Sequence, residues 1–255
     1  MTRPMVPADP APVLVTGGTH GIGAACVRLL AGDGWPVLFC GRDAEAGAAL
    51  AAATPGARYF EADLGGAEGI ADAAAAALDL SGGRLAGLVN NAGVGVRAVF
   101  AETDDALYDR VMDLNLRAPV MLTARLMPAL AAEGGSVVMI SSVAGKAGEK
   151  GLALYTASKA ALIGLAKSLA LEVGPAVRVN AVCPGQIETR MMGRTLSLPG
   201  RRDLLTARIP AGRLGLAEDV AEAVCWLVSP RSAYVSGDVI TVDGGETAGL
   251  MVSED

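Results

Sequence analysis

Tyr155 and Lys159 lie four residues apart in the stretch LYTASKAAL, residues 154–162, among alanines and leucines. Residues four apart are neighbours on a helix, so this spacing predicts an ammonium beside a phenol. A nearby cation stabilises a phenolate and lowers the pKa of tyrosine from its usual value of about 10. A tyrosine tuned in this way could exchange a proton with an alcohol or a ketone near neutral pH. The spacing by itself favours an ordinary surface Tyr–Lys pair, so other residues must decide.

A glycine-rich segment, TGGTHGIG at residues 16–23, forms a second group that could do chemistry. It follows an apolar run typical of a buried strand and opens a helical pattern. Gly17, Gly21 and Gly23 would allow a tight turn and a close approach of the backbone to a pyrophosphate, which the helix N-terminus would bind. The alternative is a plain strand-to-helix turn. A phosphate loop of the Walker type is excluded, because GxxxxGK[ST] does not occur.

The composition limits the classes of protein to which the chain could belong. It has 255 residues, of which 52% are hydrophobic, enough for one large core, and a net charge of −6, which disfavours nucleic acid as a partner. The four cysteines are far apart and form no CxxC, which argues against a disulfide framework or a metal site and predicts reduced thiols in a cytoplasmic protein. Neither a signal peptide nor a membrane span is expected.

Short apolar runs alternate with longer helical patterns along the chain. Strands are predicted at 12–18, 36–42, 57–64, 85–93, 136–142, 177–185 and 238–245, and helices at 21–34, 44–53, 66–79, 104–130, 155–173 and 217–229. Apolar strands separated by helices indicate a parallel sheet covered on both faces, that is, a doubly wound α/β sheet. Ligands bind beyond the carboxyl ends of such strands. We expect a flexible tail at 1–11 and a single domain at 12–255.

The end of the second predicted strand bears on which dinucleotide would bind. An acidic residue there would accept hydrogen bonds from the adenosine ribose and favour NAD, whereas Arg42 could pair with a 2′-phosphate and favour NADP. The alternative is that Arg42 is a solvated loop residue and Asp43 merely caps the next helix. Asp63 could accept a hydrogen bond from the adenine amino group, or it could be another helix cap.

Six segments occur in one order: TGGTHGIG, NNAG (90–93), Asn115, ISS (140–142), YTASK (155–159) and PGQIET (184–189). Together they resemble the classical short-chain dehydrogenase/reductase family, from about residue 12 to residue 245. The resemblance implies a single-domain Rossmann-type fold with about seven strands. It also implies transfer of a hydride between a nicotinamide dinucleotide and a carbonyl or secondary alcohol carbon.

Catalytic roles follow from this resemblance. Tyr155 would be the general acid in carbonyl reduction and the base in alcohol oxidation, and Lys159 would bind the nicotinamide ribose and lower the pKa of Tyr155. Ser142, at the family spacing before Tyr155, would hydrogen-bond the substrate oxygen, in preference to Ser141. Asn115 would hold a water that continues the proton relay. The implied cofactor-binding residues are Gly17, Thr19, His20, Gly21, Ile22, Gly23, Arg42, Asp63, Leu64, Asn91, Ala92, Gly93, Tyr155, Lys159, Pro184, Gly185, Ile187 and Thr189.

The segment at about 186–215 corresponds to the family's substrate lid. It carries six arginines against Glu188 and Asp203, together with several methionines and leucines. A basic, apolar lid could suit a substrate with an apolar chain and an anionic end, and a solvated face or a subunit contact is the alternative. The nearest resemblance is to ketoacyl thioester and polyketide ketoreductases. However, Leu171 and Glu172 stand where carrier-protein reductases have a basic docking residue. Arg125, on the preceding helix, could be a docking charge, but one arginine is weak evidence for a carrier protein.

These observations predict a cytoplasmic NAD(P)-dependent oxidoreductase, most simply an NADPH-dependent ketone reductase acting on a small-molecule or thioester-linked substrate. NADP(H) is favoured over NAD(H), and the family implies a homotetramer or homodimer. One alternative is an NAD-linked alcohol or sugar dehydrogenase working oxidatively, and another is a dinucleotide-sensing binding protein without catalysis. His20, the single histidine, lies inside the glycine segment, so a Ser-His-Asp hydrolase would lack its base.

Overall fold

The computed structural model describes residues 6–249, with the side chain of Arg194 left out. Its centre is a sheet of seven parallel strands in the order β3-β2-β1-β4-β5-β6-β7. The strands are β1 Val13–Thr16, β2 Val37–Gly41, β3 Ala57–Glu61, β4 Gly87–Asn90, β5 Ser136–Ile140, β6 Arg178–Pro184 and β7 Val239–Val242. Each is a few residues shorter than its predicted run, because the flanking residues form the loops that carry the site. The predicted doubly wound sheet is confirmed.

Ten α-helices connect and cover these strands among the described residues. They are α1 Gly21–Gly32, α2 Ala44–Ala53, α3 Ala67–Ser81, α4 Asp105–Met112, α5 Ala118–Ala132, α6 Ala144–Ala147, α7 Ala153–Val173, α8 Gly193–Leu196, α9 Arg201–Thr206 and α10 Ala217–Val228. No helix within the described residues is both long enough and apolar enough to cross a membrane.

Alternate residues of each strand face opposite layers, so the sheet separates two hydrophobic clusters. Leu14 and Leu88 pack with α3, α5 and α7 on one face, and Val13 and Val15 pack with α1 and α10 on the other. Both faces of the central strands are therefore buried, which explains why their sequences are apolar throughout rather than alternating.

The strand order reverses between β1 and β4. The chain runs outward from β1 to β3, returns to the other side of β1 with β4, and then continues to β7. The loops that follow β1 and β4 consequently diverge and leave a crevice at the carboxyl edge of the sheet. The glycine segment follows β1, and Asn91 follows β4, so both line this crevice.

The predicted helix at 104–130 is interrupted in the structure. A π-helical turn, Asp113–Arg117, separates α4 from α5. A π turn inserts one extra residue into a helix and is often found at functional sites. Here it contains Asn115, which is fully buried.

Only part of the predicted tail at 1–11 belongs to the described residues. Ala11 is buried, and Asp9 lies 3.4 Å from Arg84, which also pairs with Glu133 at 2.7 Å. The segment from residue 6 to 11 therefore lies against the domain, whereas residues 1–5 of the predicted tail lie outside the described residues.

Candidate active site and cofactor cleft

The glycine segment forms a tight turn between β1 and α1. Gly17 and Gly21 have φ values of +62° and +53°, a region that L side chains rarely adopt. At Gly23, an added Cβ would lie 2.2 Å from the Gly17 carbonyl oxygen. Helix α1 begins after His20 without any side-chain cap, so its first amide groups remain available to an anion. A backbone cradle that only glycine permits, beside an uncapped helix of twelve residues, fits a pyrophosphate.

Replacing Gly23 with alanine is therefore expected to distort the loop and abolish dinucleotide binding. The clash is with backbone, so we expect a loss of about 1–3 kcal/mol or more in the free energy of unfolding. Gly32 lies at the other end of α1 with nothing within 4 Å of an added Cβ. Gly32→Ala should thus be neutral or stabilising by up to about 1 kcal/mol. Thermal unfolding and cofactor titration of both variants would test this, and equal behaviour would contradict it.

A hydrogen-bond network joins the loops that follow β1 and β4. The Thr16 hydroxyl accepts from the amides of Asn91 and Ala92 at 3.0 and 3.1 Å. The Asn91 side chain donates to the carbonyl oxygens of Thr16 and Gly17 at 2.9 and 3.1 Å. Asn91 thus holds the glycine turn in place through the carbonyl oxygens of Thr16 and Gly17. Thr16 was missed by the sequence analysis, and its position as the last residue of β1 is the only signal that could have pointed to it.

The residues predicted for the adenosine end gather at one edge of the crevice. Thr19 packs against Gly41, where an added Cβ would lie 3.0 Å from its Cγ2. Arg42 is exposed, while Leu64 is buried and Ile22 is half-buried. Asp63 is exposed and accepts from the Gly65 amide at 3.0 Å, so it shapes the turn before α3, whose N-cap is Gly66.

Asp43 caps α2, as the alternative interpretation had it, by accepting from the Ala46 amide at 3.1 Å. Its other carboxylate oxygen, Oδ2, lies 3.3 Å from His20 Nε2. His20 in turn contacts the Thr19 hydroxyl through Nδ1 at 2.9 Å. The glycine segment and the β2–α2 loop are therefore linked by side chains as well as by the sheet.

Tyr155 and Lys159 lie on the first turns of α7, where Tyr155 is half-buried and Lys159 is buried. Lys159 Nζ lies 5.7 Å from the Tyr155 ring centroid and donates to the Ile140 carbonyl oxygen at 2.8 Å. Ser142 follows β5 beside them. Its hydroxyl accepts from the Ala144 amide at 3.1 Å, and its hydrogen bond with Tyr155 acts to lower the pKa of that phenol. The structure therefore brings the three predicted side chains together.

The pKa of Tyr155 shifts in the direction opposite to the sequence-based expectation. Burial raises the pKa, because it disfavours the phenolate, and the hydrogen bond with Ser142 opposes that effect only in part. Lys159 is not among the groups that lower the pKa of Tyr155, and burial lowers the pKa of Lys159 itself, to about 8. The expected lowering of the pKa of Tyr155 was wrong, since spacing on a helix does not reveal how much of the chain surrounds the two groups.

The π turn presents Asn115 to the loop after β4. Asn115 Oδ1 accepts from the Val94 amide at 2.8 Å, and its Nδ2 donates to the Val94 carbonyl at 2.9 Å and to the Ser158 hydroxyl at 3.1 Å. An added Cβ at Gly93 would lie 3.2 Å from Asn115 Oδ1 and 3.3 Å from Lys159 Nζ. Gly93 thus leaves a small polar gap between these two side chains. The neighbouring Ser141 hydroxyl donates to the Lys159 carbonyl at 2.7 Å and is structural.

The segment after β6 forms the other wall of the crevice. Pro184 ends β6 and accepts from the Val143 amide at 3.0 Å, and an added Cβ at Gly185 would lie 2.6 Å from Asp243 Cβ. Ile187 is buried and pairs with Gly215. The Thr189 methyl group would lie 3.3 Å from a Cβ at Gly21, so this wall reaches the glycine segment.

The predicted lid at 186–215 has fewer unpaired basic side chains than its sequence indicates. Arg202 forms an ion pair with Glu188, and Arg213 pairs with Asp219 at 2.6 Å. Its apolar residues mainly pack on one another: Leu205, Ile209 and Leu214 form a cluster with Met192 and Leu196. This compensation weakens the expectation of an anionic substrate end, because the paired arginines already have carboxylate partners.

Comparisons with known proteins agree with this geometry. The family model described as Enoyl-(Acyl carrier protein) reductase matches residues 17–247. A curated relative, 2-(S)-hydroxypropyl-CoM dehydrogenase 3 of Xanthobacter autotrophicus, is 37% identical over 92% of this chain and 96% of its own. The 3-oxoacyl-[acyl-carrier-protein] reductase FabG of Escherichia coli is 36% identical over 91% and 95%.

Solved structures show the same likeness. A putative NAD(P) dependent gluconate 5-dehydrogenase from Beutenbergia cavernae, with bound NADP at low occupancy, superposes with a TM-score of 0.89 at 35% identity, covering 96% of this chain and 100% of that one. The chain belongs to the short-chain dehydrogenase/reductase family. It is an NAD(P)-dependent oxidoreductase that acts on a small-molecule substrate.

Among the described residues, no group of three or more His, Cys, Asp or Glu side chains could hold a metal ion. The four cysteines are all buried and unpaired.

Proposed function

We propose that the protein reduces a ketone with NADPH. The observation that carries this proposal is the convergence of Ser142, Tyr155 and Lys159 beside the crevice at the carboxyl edge of the sheet. A general acid must carry its proton at the working pH, and a phenol, whose ordinary pKa is about 10, does so near neutrality. Burial raises the pKa of Tyr155 further, which keeps the phenol protonated but does not choose between reduction and oxidation, since both directions involve the phenolate.

The catalytic roles follow from the positions of the side chains. The bound dinucleotide would supply the hydride to the carbonyl carbon. The Ser142 hydroxyl would donate to the substrate oxygen as negative charge develops there. Tyr155 would transfer its phenolic proton to that oxygen, giving the alcohol. Lys159, when protonated, would stabilise the resulting phenolate, and the gap between Lys159 and Asn115 would carry the replacing proton toward Tyr155.

The preference for NADP(H) rests on Arg42. Its exposed guanidinium follows β2 at the adenosine edge of the crevice, where a 2′-phosphate would be read. A solved neighbour carries bound NADP, which supports the same choice. Asp43 supports the competing choice of NAD, because its carboxylate faces the glycine segment and could accept from ribose hydroxyls.

The substrate is proposed to be a largely apolar ketone, with ketoacyl or polyketide-like chains included. The paired lid arginines argue against a strong requirement for an anionic end, and the exposed Met191, Leu198 and Leu204 supply apolar surface. Docking of a carrier protein has little support. Leu171 is 89% exposed and is followed by Glu172, and the Arg125 guanidinium donates to the Met121 carbonyl of its own helix.

An oxidative, NAD-linked alcohol or sugar dehydrogenase is the second candidate. The names of two similar proteins, a hydroxypropyl-CoM dehydrogenase and a gluconate dehydrogenase, favour it. The sensing protein without catalysis has no observation in its favour. We further propose a homotetramer or homodimer built on α4, α5 and α7, supported by the exposed Tyr108, Met121 and Leu171 on those helices. We also propose a location in the cytoplasm, supported by the free thiols.

The direct test measures initial rates with NADPH and NADH across ketoacyl thioesters, cyclic and aromatic ketones, and keto-sugars. We expect one class to turn over with NADPH. Arg42→Gln should raise the apparent Kd for NADPH about 10- to 100-fold, as expected for loss of a charge-assisted hydrogen bond, and leave NADH almost unchanged. Arg58→Gln, on the neighbouring strand β3, is the control. A wild-type preference for NADH would overturn the NADPH assignment, and turnover only of alcohols with NAD would favour the second candidate.

A further inference from the structure

Arg190 belongs to the lid, but its side chain faces the cofactor side of the crevice. It follows Thr189 directly, and its guanidinium lies 2.5 Å from His20 Nε2, in the glycine segment. The same guanidinium lies 3.7 Å from the carboxylate of Asp43, at the start of α2. One residue at the start of the lid therefore contacts both the glycine segment and the loop before α2.

The hydrogen-bond network assigns the protons in this cluster. A guanidinium can only donate, so His20 Nε2 must accept from Arg190, which places the ring proton on Nδ1, where it is donated to the Thr19 hydroxyl. His20 then has no proton for Asp43 at 3.3 Å, and the carboxylate takes its favourable contact from Arg190. Asp43 is thus the anion that Arg190 faces.

The ion pair between Arg190 and Asp43 is weak enough for another anion to replace Asp43. The Arg190 and Asp43 side chains are 73% and 43% exposed, and an ion pair so open to water is weak. A phosphate offers the geometry that a guanidinium binds in a bidentate way, and a 2′-phosphate, as a monoester, also carries more charge than a carboxylate. An anionic phosphate entering beside His20 would compete with Asp43 for the same guanidinium.

We propose that Arg190 connects the lid to the bound cofactor. Its guanidinium leaves Asp43 and pairs with a phosphate of the bound dinucleotide. The proposal rests on the proposed function in that the protein must bind a nicotinamide dinucleotide. The shared chemistry is a phosphate anion, either the 2′-phosphate or the pyrophosphate. In either case, binding of the dinucleotide would draw the first residues of the lid onto the glycine segment.

Calorimetric titration of the full chain with NADPH, NADH, ADP and 2′-AMP tests this without measuring activity. Arg190→Ala should weaken NADPH binding about tenfold, and Arg190→Lys less, because it keeps a charge without the planar fork. Arg201→Ala, in α9 of the same lid, should bind like the wild type. Weaker 2′-AMP with unchanged ADP identifies the 2′-phosphate, and the reverse identifies the pyrophosphate; both outcomes support the proposal.

Asp43→Asn separates exchange from mere stabilisation of the loop. Asparagine is as good an N-cap as aspartate, so α2 should remain capped while the competing charge is lost. We expect Asp43→Asn to tighten NADPH binding about threefold in the wild-type background. The gain should shrink clearly in the Arg190→Ala background, because Asp43 would then have no guanidinium to compete for.

Three results are decisive. Unchanged affinity for every ligand in Arg190→Ala would overturn the inference while leaving the proposed function intact. An equal gain from Asp43→Asn in both backgrounds would also overturn it, since Asp43 would then act on the phosphate by simple repulsion. Failure of the wild type to bind either NADPH or NADH would instead refute the dinucleotide assignment itself.

Discussion

Tyr155→Phe is expected to lower kcat for carbonyl reduction by about 10²- to 10⁴-fold, the usual contribution of a positioned general acid. The substitution removes only the phenolic hydroxyl, so the ring stays packed in the crevice and its 5.7 Å contact with Lys159 Nζ is kept. Because no cofactor-binding loop changes, the dissociation constant for the dinucleotide should move little. The loss should appear in the chemical step, not in cofactor affinity.

Single-turnover kinetics together with cofactor titration would measure this. Tyr234→Phe is the matched control, because the Tyr234 side chain is fully exposed. We also expect the free energy of unfolding of Tyr155→Phe to fall by no more than about 1 kcal/mol, since the hydroxyl that is removed makes a hydrogen bond with Ser142. A variant that keeps more than about a tenth of wild-type kcat would show that another group supplies the proton.

Lys159→Met is expected to abolish activity and yet stabilise the folded protein. Burial lowers the pKa of Lys159 to about 8 from 10.5, so holding it protonated in the fold costs about 3 kcal/mol at neutral pH. Loss of its hydrogen bond to Ile140 O costs about 1 kcal/mol in the opposite direction. We therefore expect a net gain of about 1–2 kcal/mol in the free energy of unfolding.

The sign of the pH dependence provides a sharper test. Between pH 8 and 10.5 the unfolded lysine binds more protons than the folded one, so the penalty is present below pH 8 and disappears as the pH rises through this window. The wild type should therefore gain stability relative to Lys159→Met across that range. The control Lys167→Met, on the exposed side of the same helix, should change neither the curve nor the activity.

The same titration limits catalysis. Because Lys159 loses its charge as the pH rises through about 8, kcat/KM for reduction should be constant near neutrality and fall above that value. Urea unfolding at several pH values and a pH–rate profile would check both statements. Parallel stability curves for the wild type and Lys159→Met would contradict the assignment.

Much of this protein could be predicted from its sequence because the deciding interactions are local. The apolar runs fixed the seven strands, and their alternation with helices fixed the doubly wound sheet. The glycines of residues 16–23 indicated where the backbone would need a positive φ or a close contact with another backbone atom. Tyr155 and Lys159 are neighbours by helical geometry alone. The predicted ends of the strands were less accurate, because the sequence of the flanking residues is equally compatible with a longer strand and with the start of a loop.

What the tertiary structure alone decided depends on residues far apart in the chain. The π turn that presents Asn115 is locked by Val94, and nothing in the helical pattern of 104–130 marks it. The contact of Arg190 with His20 joins residues 170 positions apart. The pKa of Tyr155 rises for the same reason: desolvation is the sum of all the chain that surrounds a group, and spacing along one helix does not contain that sum.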